Sequence, residues 1–326
     1  MACSEFSLIE IYFTSRTSER NDVVLGIGDD AAVMQLAENE QLVVTTDTMV
    51  AGVHFPESTT PYDIGYKLMA VNMSDLAAMG AQPRWASLAL TLPDVDEDWL
   101  EEFTAGMFKL ASRHGVQLVG GDTTRGPLTL SLTLHGVVET GKYLQRKGAA
   151  AGDAIYISGS LGDAGLALQQ LLVGAEPDTV LLERLNRPTP QVELGQALTG
   201  IASAAIDISD GLLADLGHIL KASGVGAHLQ LDDLPMSDNV RQTVSEADWS
   251  LPLASGDDYE LCFTVPAANQ AALKSCVATL GLDVSLIGTI ESEKGLRCFS
   301  LDGELVTLHG RGYEHFSAIS SDEVDT

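Results

Sequence analysis

Six short segments of this chain set carboxylates directly against glycines and small hydroxyls: GIGDDAAV (26–33), TTDTM (45–49), NMSDLAAMGA (72–81), GGDTTRG (120–126), DISDGL (207–212) and GDDYEL (256–261). Acids so placed have few salt-bridge partners, and their small neighbours leave room for another anion to approach. In the first half, each segment leads or follows an apolar run. Asp29, Asp30, Asp47, Asp75 and Asp122 are therefore expected at one rim of the fold. Two carboxylates about 6 Å apart at an effective dielectric near 20 repel by roughly 3 kcal/mol. Four or five in one pocket would approach the roughly 5–15 kcal/mol that holds a whole domain together. Either the acids stay apart or cations bind between them. Taken singly, each has an ordinary alternative as a helix cap or turn residue.

The donor chemistry narrows the cation. No His-x-x-x-His and no closely spaced cysteine pair occurs, which disfavours zinc. Oxygen donors alone point to magnesium, with manganese as a substitute, and magnesium commonly joins one or two carboxylates to substrate phosphates. Yet no GxxxxGK[ST] loop and no protein-kinase motif set is present. SGSLGDAG (158–165) joins a strand-like run to a helical one, and it reads either as a tight turn or as a phosphate cradle.

Composition excludes several classes. With 46 acids against 18 lysines and arginines, the formal net charge of the 326-residue chain is -28. Such a surface repels nucleic acid and anionic lipid. It also repels a phosphorylated substrate unless cations mediate. Most of these acids read as ordinary solvated surface. The first residues lack a signal-peptide pattern, and no apolar run approaches the roughly 18 residues of a membrane span. Cys3, Cys262, Cys276 and Cys298 read as reduced thiols. A cytoplasmic protein is expected.

The length favours two domains. Strand patterns at 42–46, 85–92, 116–119 and 128–138 enclose helices starting at Pro61, capped by Thr60, and covering 96–114. The polar, small-residue stretch 139–153 is the expected linker, dividing an N-terminal domain (1–138) from a C-terminal one (154–326). In the latter, strands near 154–158, 204–208, 227–231, 261–265 and 284–289 intersperse with helices at 163–173, after Pro190 and at 210–222.

Taken in order, GIGDDAAV, TTDTMVAGVHF, AVNMSDLAAMGAQP, GGDTTRGPL, RKGAAAGD, DISDGLLADL, SGDDYEL and GYEHF closely resemble the thiamine-monophosphate kinases. That family belongs to the aminoimidazole-ribonucleotide-synthetase-like superfamily. The match runs from about Ile27 to Phe316. The resemblance implies an α/β (α+β) two-domain fold of that type, in a homodimer whose N-terminal sheets pair. It also implies transfer of the γ-phosphoryl of ATP to thiamine monophosphate, assisted by several Mg2+ ions.

Carried over by motif, Asp30, Thr45, Thr46, Asp47, Asp75, Asp122, Asp207 and Asp210 resemble magnesium ligands. Gly121, Asp122, Arg146 and Ser209 fall at ATP contacts, and His54, Glu260 and Phe316 at substrate contacts. By residue type alone, His54 is equally a loop histidine, Arg146 an exposed linker residue, Glu260 a surface acid and Phe316 a core plug. At Phe103-Thr104-Ala105 relatives often carry a tyrosine, which implies weaker stacking on the nucleotide here. Sibling enzymes of the superfamily and a non-catalytic cation-binding protein are the competing readings.

Overall fold

The computed structural model describes residues 5–245 and 248–306. Phe316 and the GYEHF motif lie outside the described residues.

After a short helical start, α1 (Glu5–Leu8) and a wider π-turn (Ile9–Thr14), the first half builds on β1 (Val23–Leu25), β2 (Val33–Met34), β3 (Glu40–Val50), α2 (Pro61–Ala78), β4 (Gln82–Leu92), α3 (Glu97–Arg113), β5 (Gln117–Arg125) and β6 (Thr129–Glu139). The sheet order is β3-β6-β4-β5, with β3 and β5 at its two open edges. Period-2 alternation sends Val43, Thr45, Asp47 and Met49 of β3 inward. Leu42, Val44, Thr46 and Thr48 lie on the outer face. Segment 120–125, beyond the strand expected at 116–119, continues β5, paired with β4.

Helix α2 lies behind this sheet, and its composition explains its place. Thr60 accepts from the Asp63 N–H, and Pro61 occupies the first turn, where no intrahelical N–H is required. Beyond that the helix is buried almost all round, including Lys67, Asn72 and Ser74, as suits a helix between two layers. One side crosses α3 so closely that a Cβ on Gly106 would lie 1.9 Å from the Tyr62 carbonyl oxygen, and one on Gly65 2.0 Å from that of Phe103. Leu100, Phe103, Met107 and Leu110 of α3 are buried, as their helical spacing predicts.

The second half comprises β7 (Ala154–Ser158), α4 (Asp163–Leu172), α5 (Thr179–Asn186), α6 (Val192–Leu198), β8 (Ala204–Asp207), α7 (Leu212–Ser223), β9 (Gly226–Gln230), α8 (Asp238–Thr243), α9 (Ser250–Ala254), β10 (Leu261–Val265), α10 (Gln270–Leu280), β11 (Val284–Glu291) and β12 (Gly295–Phe299). Its six-stranded sheet runs β12-β9-β11-β7-β10-β8. The other side of α2 meets α6 and β8. One continuous apolar cluster contains Leu68, Met73 and Leu76 of α2 together with Leu194, Leu198, Ala205 and Phe263 from the second half. This mixed α/β architecture makes α2 common to both halves. The acids of the second half, at the end of β8 and before β10, therefore face those on β3 and α2.

Candidate active site

A cleft of about 600 Å³ opens between the halves. Its lining includes Asp47, His54, Lys67, Asp75, Asp207, Ser209, Asp210, Asp257 and Tyr259. Asp47 comes from the inward face of β3 and Asp75 from α2, while Asp207 ends β8. The Thr45 hydroxyl donates to the Asp75 carboxylate. The Asn72 amide oxygen accepts from the Asp47 N–H at 3.3 Å, and the Ser74 hydroxyl donates to Asp207 at 2.8 Å. Burial, followed by the neighbouring charge of Asp75, raises the affinity of Asp47 and Asp207 for protons. Asp75 is raised by burial too, against opposing help from Thr45 and Arg146. Of the five acids expected to crowd together, Asp47 and Asp75 meet here.

The loop after β8 is shaped by a residue that the sequence reading passed over. Asp215, in the first turn of α7, accepts from the N–H groups of both Ser209 and Asp210 at 3.0 Å. Burial pushes its own carboxyl up to about 7. Its position five residues after Asp210, at the start of a helix, is the signal that marks it. Ser209 and Asp210 are held at the cleft as a result. Exposed Arg146 does not line the cleft, but its charge is felt by both Asp75 and Asp215. His54 accepts the Val50 N–H on Nδ1 at 3.0 Å, so a neutral imidazole carries its proton on Nε2.

Thr46 also lines the cleft, and its hydroxyl meets that of Thr133 at 2.8 Å. Other expectations need correction. Asp30, Gly121 and Asp122 line a different cavity, of about 680 Å³. The register explains the separation. Asp47, Leu132, Leu88 and Gly121 form one row across the sheet, and three interstrand steps of about 4.8 Å put its ends roughly 14 Å apart. Within one chain the five acids therefore do not share a rim. Among the described residues, no three His, Cys, Asp or Glu side chains stand ready to hold a metal ion.

Glu260 is also elsewhere. It is 1% exposed. One carboxylate oxygen takes the Arg184 guanidinium at 2.7 Å, and the other takes Ser158 and Gln191 at 2.6 and 2.9 Å. Its place just before β10, facing the half-buried Arg184, makes it a brace for the SGSLGDAG turn. That turn is no phosphate cradle: the Gly162 N–H is committed to Asp258 at 2.9 Å and the Leu161 N–H to the Pro235 carbonyl. Phe103 stacks on Trp99 in the core, with centroids 4.9 Å apart, and segment 103–105 lines neither cavity.

The sequence reading passed over Lys67, and it quoted GDDYEL without giving Asp257 or Tyr259 a role of its own. Lys67, Val71 and Asp75 fall at i, i+4 and i+8 of α2, a spacing that puts all three on one face. Asp257 and Tyr259 have φ of 65° and 51°. Such backbone strain in non-glycine residues concentrates at functional sites.

Two family models cover most of the chain: AIR synthase related protein, N-terminal domain, over residues 28–138, and its C-terminal domain over residues 150–300. The thiamine-monophosphate kinase of Salmonella typhimurium is 51% identical over 326 residues, covering 97% of this chain and 99% of its own length. The chain belongs to the thiamine-monophosphate kinase family. The crystal structure of the thiamine-monophosphate kinase from Stenotrophomonas maltophilia K279a matches with a TM-score of 0.85 at 49% identity, over 94% of this chain and 99% of that one. A second family structure, AaThiL complexed with AMPPCP and TMP, matches with a TM-score of 0.75 at 32% identity, over 96% and 97%. Among the described residues, no helix of this family member is long and apolar enough to cross a membrane.

Proposed function

We propose that this chain is an ATP-dependent kinase that phosphorylates thiamine monophosphate to thiamine diphosphate, releasing ADP. The observation that carries the reading is 51% identity over nearly the full length of a thiamine-monophosphate kinase. The cleft chemistry agrees with it. Donor and acceptor are both anionic phosphates, so the transfer needs neutralisation of charge and in-line placement more than a strong base. The acceptor phosphate is already ionised at neutral pH, and no side chain has to remove a proton from it.

The residues fit magnesium. Asp47, Asp75 and Asp207 are hard oxygen donors on which burial, and for Asp47 and Asp207 also the charge of Asp75, favours protons, and a divalent ion relieves that crowding as protons do. When bound, magnesium would neutralise phosphate oxygens and bring the two substrates together. Each magnesium ion would take one or two carboxylates from among Asp47, Asp75, Asp207 and Asp210, with Thr45 fixing the orientation of Asp75. His54 would contact the acceptor, and Ser209 and Arg146 the nucleotide.

The placement of Asp30 and Asp122 favours a homodimer. β3 and β5 are both open edges, and an exposed long edge invites strand pairing. Joining β3 of one copy to β5 of another, twice, closes a barrel and carries Asp122 of the partner subunit beside Asp47. Leu42 and Val44, on the outer face of β3, and Val24 and Val33 are exposed in the single chain, as such an interface requires. Asp30 and Asp122 would then serve as metal ligands across the interface, with Gly121 of the same strand, β5, beside Asp122.

The test is an assay of purified protein with ATP, magnesium and thiamine monophosphate. The expected result is thiamine diphosphate and ADP in equal amounts. Aminoimidazole-forming activity in place of that product would assign the chain to a sibling enzyme.

A further inference from the structure

Among the described residues lining the acidic cleft, Lys67 is the only lysine or arginine. It is 4% exposed, yet its Nζ reaches the cleft wall and pairs with Asp257 at 2.5 Å. Lysine is costly to bury and easily replaced by an apolar residue on a helix packed this tightly. Its partner is held with equal care. Asp257 sits at φ 65°, its N–H bonded to the Ser209 carbonyl at 2.8 Å, and the Tyr259 N–H bonds the Ile208 carbonyl at 2.8 Å. The Tyr259 hydroxyl leans on the Asp257 carboxylate. A strained loop from the second half thus aims one carboxylate at one ammonium on α2.

The cleft is also polar along its length. Lys67 and Asp75 share a face of α2 eight residues apart, about 12 Å at 1.5 Å per residue. One end concentrates Asp47, Asp75 and Asp207. The other presents an ammonium with a single, partly exposed counterion. The first end suits phosphates that arrive with metal ions, and the second suits a bare phosphate oxygen.

We propose that Lys67 is a phosphate-contacting residue of the cleft, with Asp257 as a place-holding counterion that keeps the ammonium aimed until a substrate phosphate takes its place. The inference rests on the kinase reading for the identity of the phosphate ester, and on the cleft alone for the anion.

A mutant cycle separates this role from a merely structural ion pair between the halves. Lys67→Met with Asp257→Asn removes both charges and leaves neither buried group unpaired. The double variant is expected to melt close to the parent, with KM for one phosphate substrate raised ~10- to 100-fold, the loss of one charge-assisted hydrogen bond. The substrate whose KM moves, ATP or thiamine monophosphate, identifies the phosphate. Lys67→Gln alone keeps a polar partner for Asp257 and is expected to raise KM for the same phosphate substrate by a similar ~10- to 100-fold. This variant decides the matter if the double variant fails to fold. A double variant or a Lys67→Gln variant with the parent's KM for both substrates would overturn the proposal. If the parent protein turns over no thiamine monophosphate, calorimetry with inorganic pyrophosphate at fixed magnesium still decides. Binding lost in the double variant supports Lys67 and sinks only the substrate, whereas equal or absent binding in both proteins sinks Lys67.

Discussion

Single carboxylates give this cleft its energetic character. Asp47, Asp75 and Asp207 all hold protons more tightly than an ordinary carboxyl because they are buried beside one another, and Asp215 is raised to about 7 by burial. The unfolded chain releases those protons near pH 4, and the folded chain retains them further up the scale. Stability without metal should therefore fall as pH rises from about 4 to about 8 and level off above that. A melting temperature lower at pH ~8 than at pH ~5, with the difference reduced by magnesium, is the expected outcome. A profile indifferent to both would show that the acids are solvated. Asp75→Asn relieves repulsion in the empty cleft, so the metal-free variant should melt no lower than the parent at pH ~8. Its turnover should nonetheless drop by about 10²- to 10³-fold, the scale of one lost preorganised electrostatic contact. Near-normal turnover at saturating magnesium would remove Asp75 from the site.

Helix α2 is the element on which the cleft depends, since it carries Lys67, Val71 and Asp75 on one face and the crossing with α3 on another. Because a Cβ at Gly106 would lie 1.9 Å from the Tyr62 carbonyl oxygen, Gly106→Ala must push the helices apart. The expected cost is about 1–3 kcal/mol, typical of overpacking, read as a lower urea midpoint with turnover reduced as Asp75 shifts. An unchanged midpoint would mean that the crossing is looser than described. The start of α2 was legible from Thr60 and Pro61, and α3 from its apolar spacing, because local chemistry decides both. The continuation of β5 through 120–125 was not, since glycines and polar residues there give no strand pattern and only the ladder to β4 fixes it. α10 escaped notice because Leu273 is its one buried residue, which leaves almost no apolar stripe to read. At the site, the acids of β3, α2 and β8 were correctly drawn together. Within one chain the structure does not bring Asp30, Asp122 or Glu260 to that cleft. Their positions depend on sheet register and on a half-buried arginine, neither of which a motif records.

For the whole molecule, assembly and activity should stand or fall together. Val44 lies on the outer face of edge strand β3 and is 51% exposed. Val44→Glu should leave the single chain folded, convert a dimer to a monomer by light scattering, and abolish turnover without touching a cleft residue. An active monomer would disprove the shared site. The apolar cluster that runs through α2 into α6, β8 and β10 has its own corollary. Cutting the gene between codons 140 and 153 should not release two independent proteins, because each fragment would carry half of a common interior open to water. Only co-expression, with the fragments finding each other before they aggregate, should restore a soluble product.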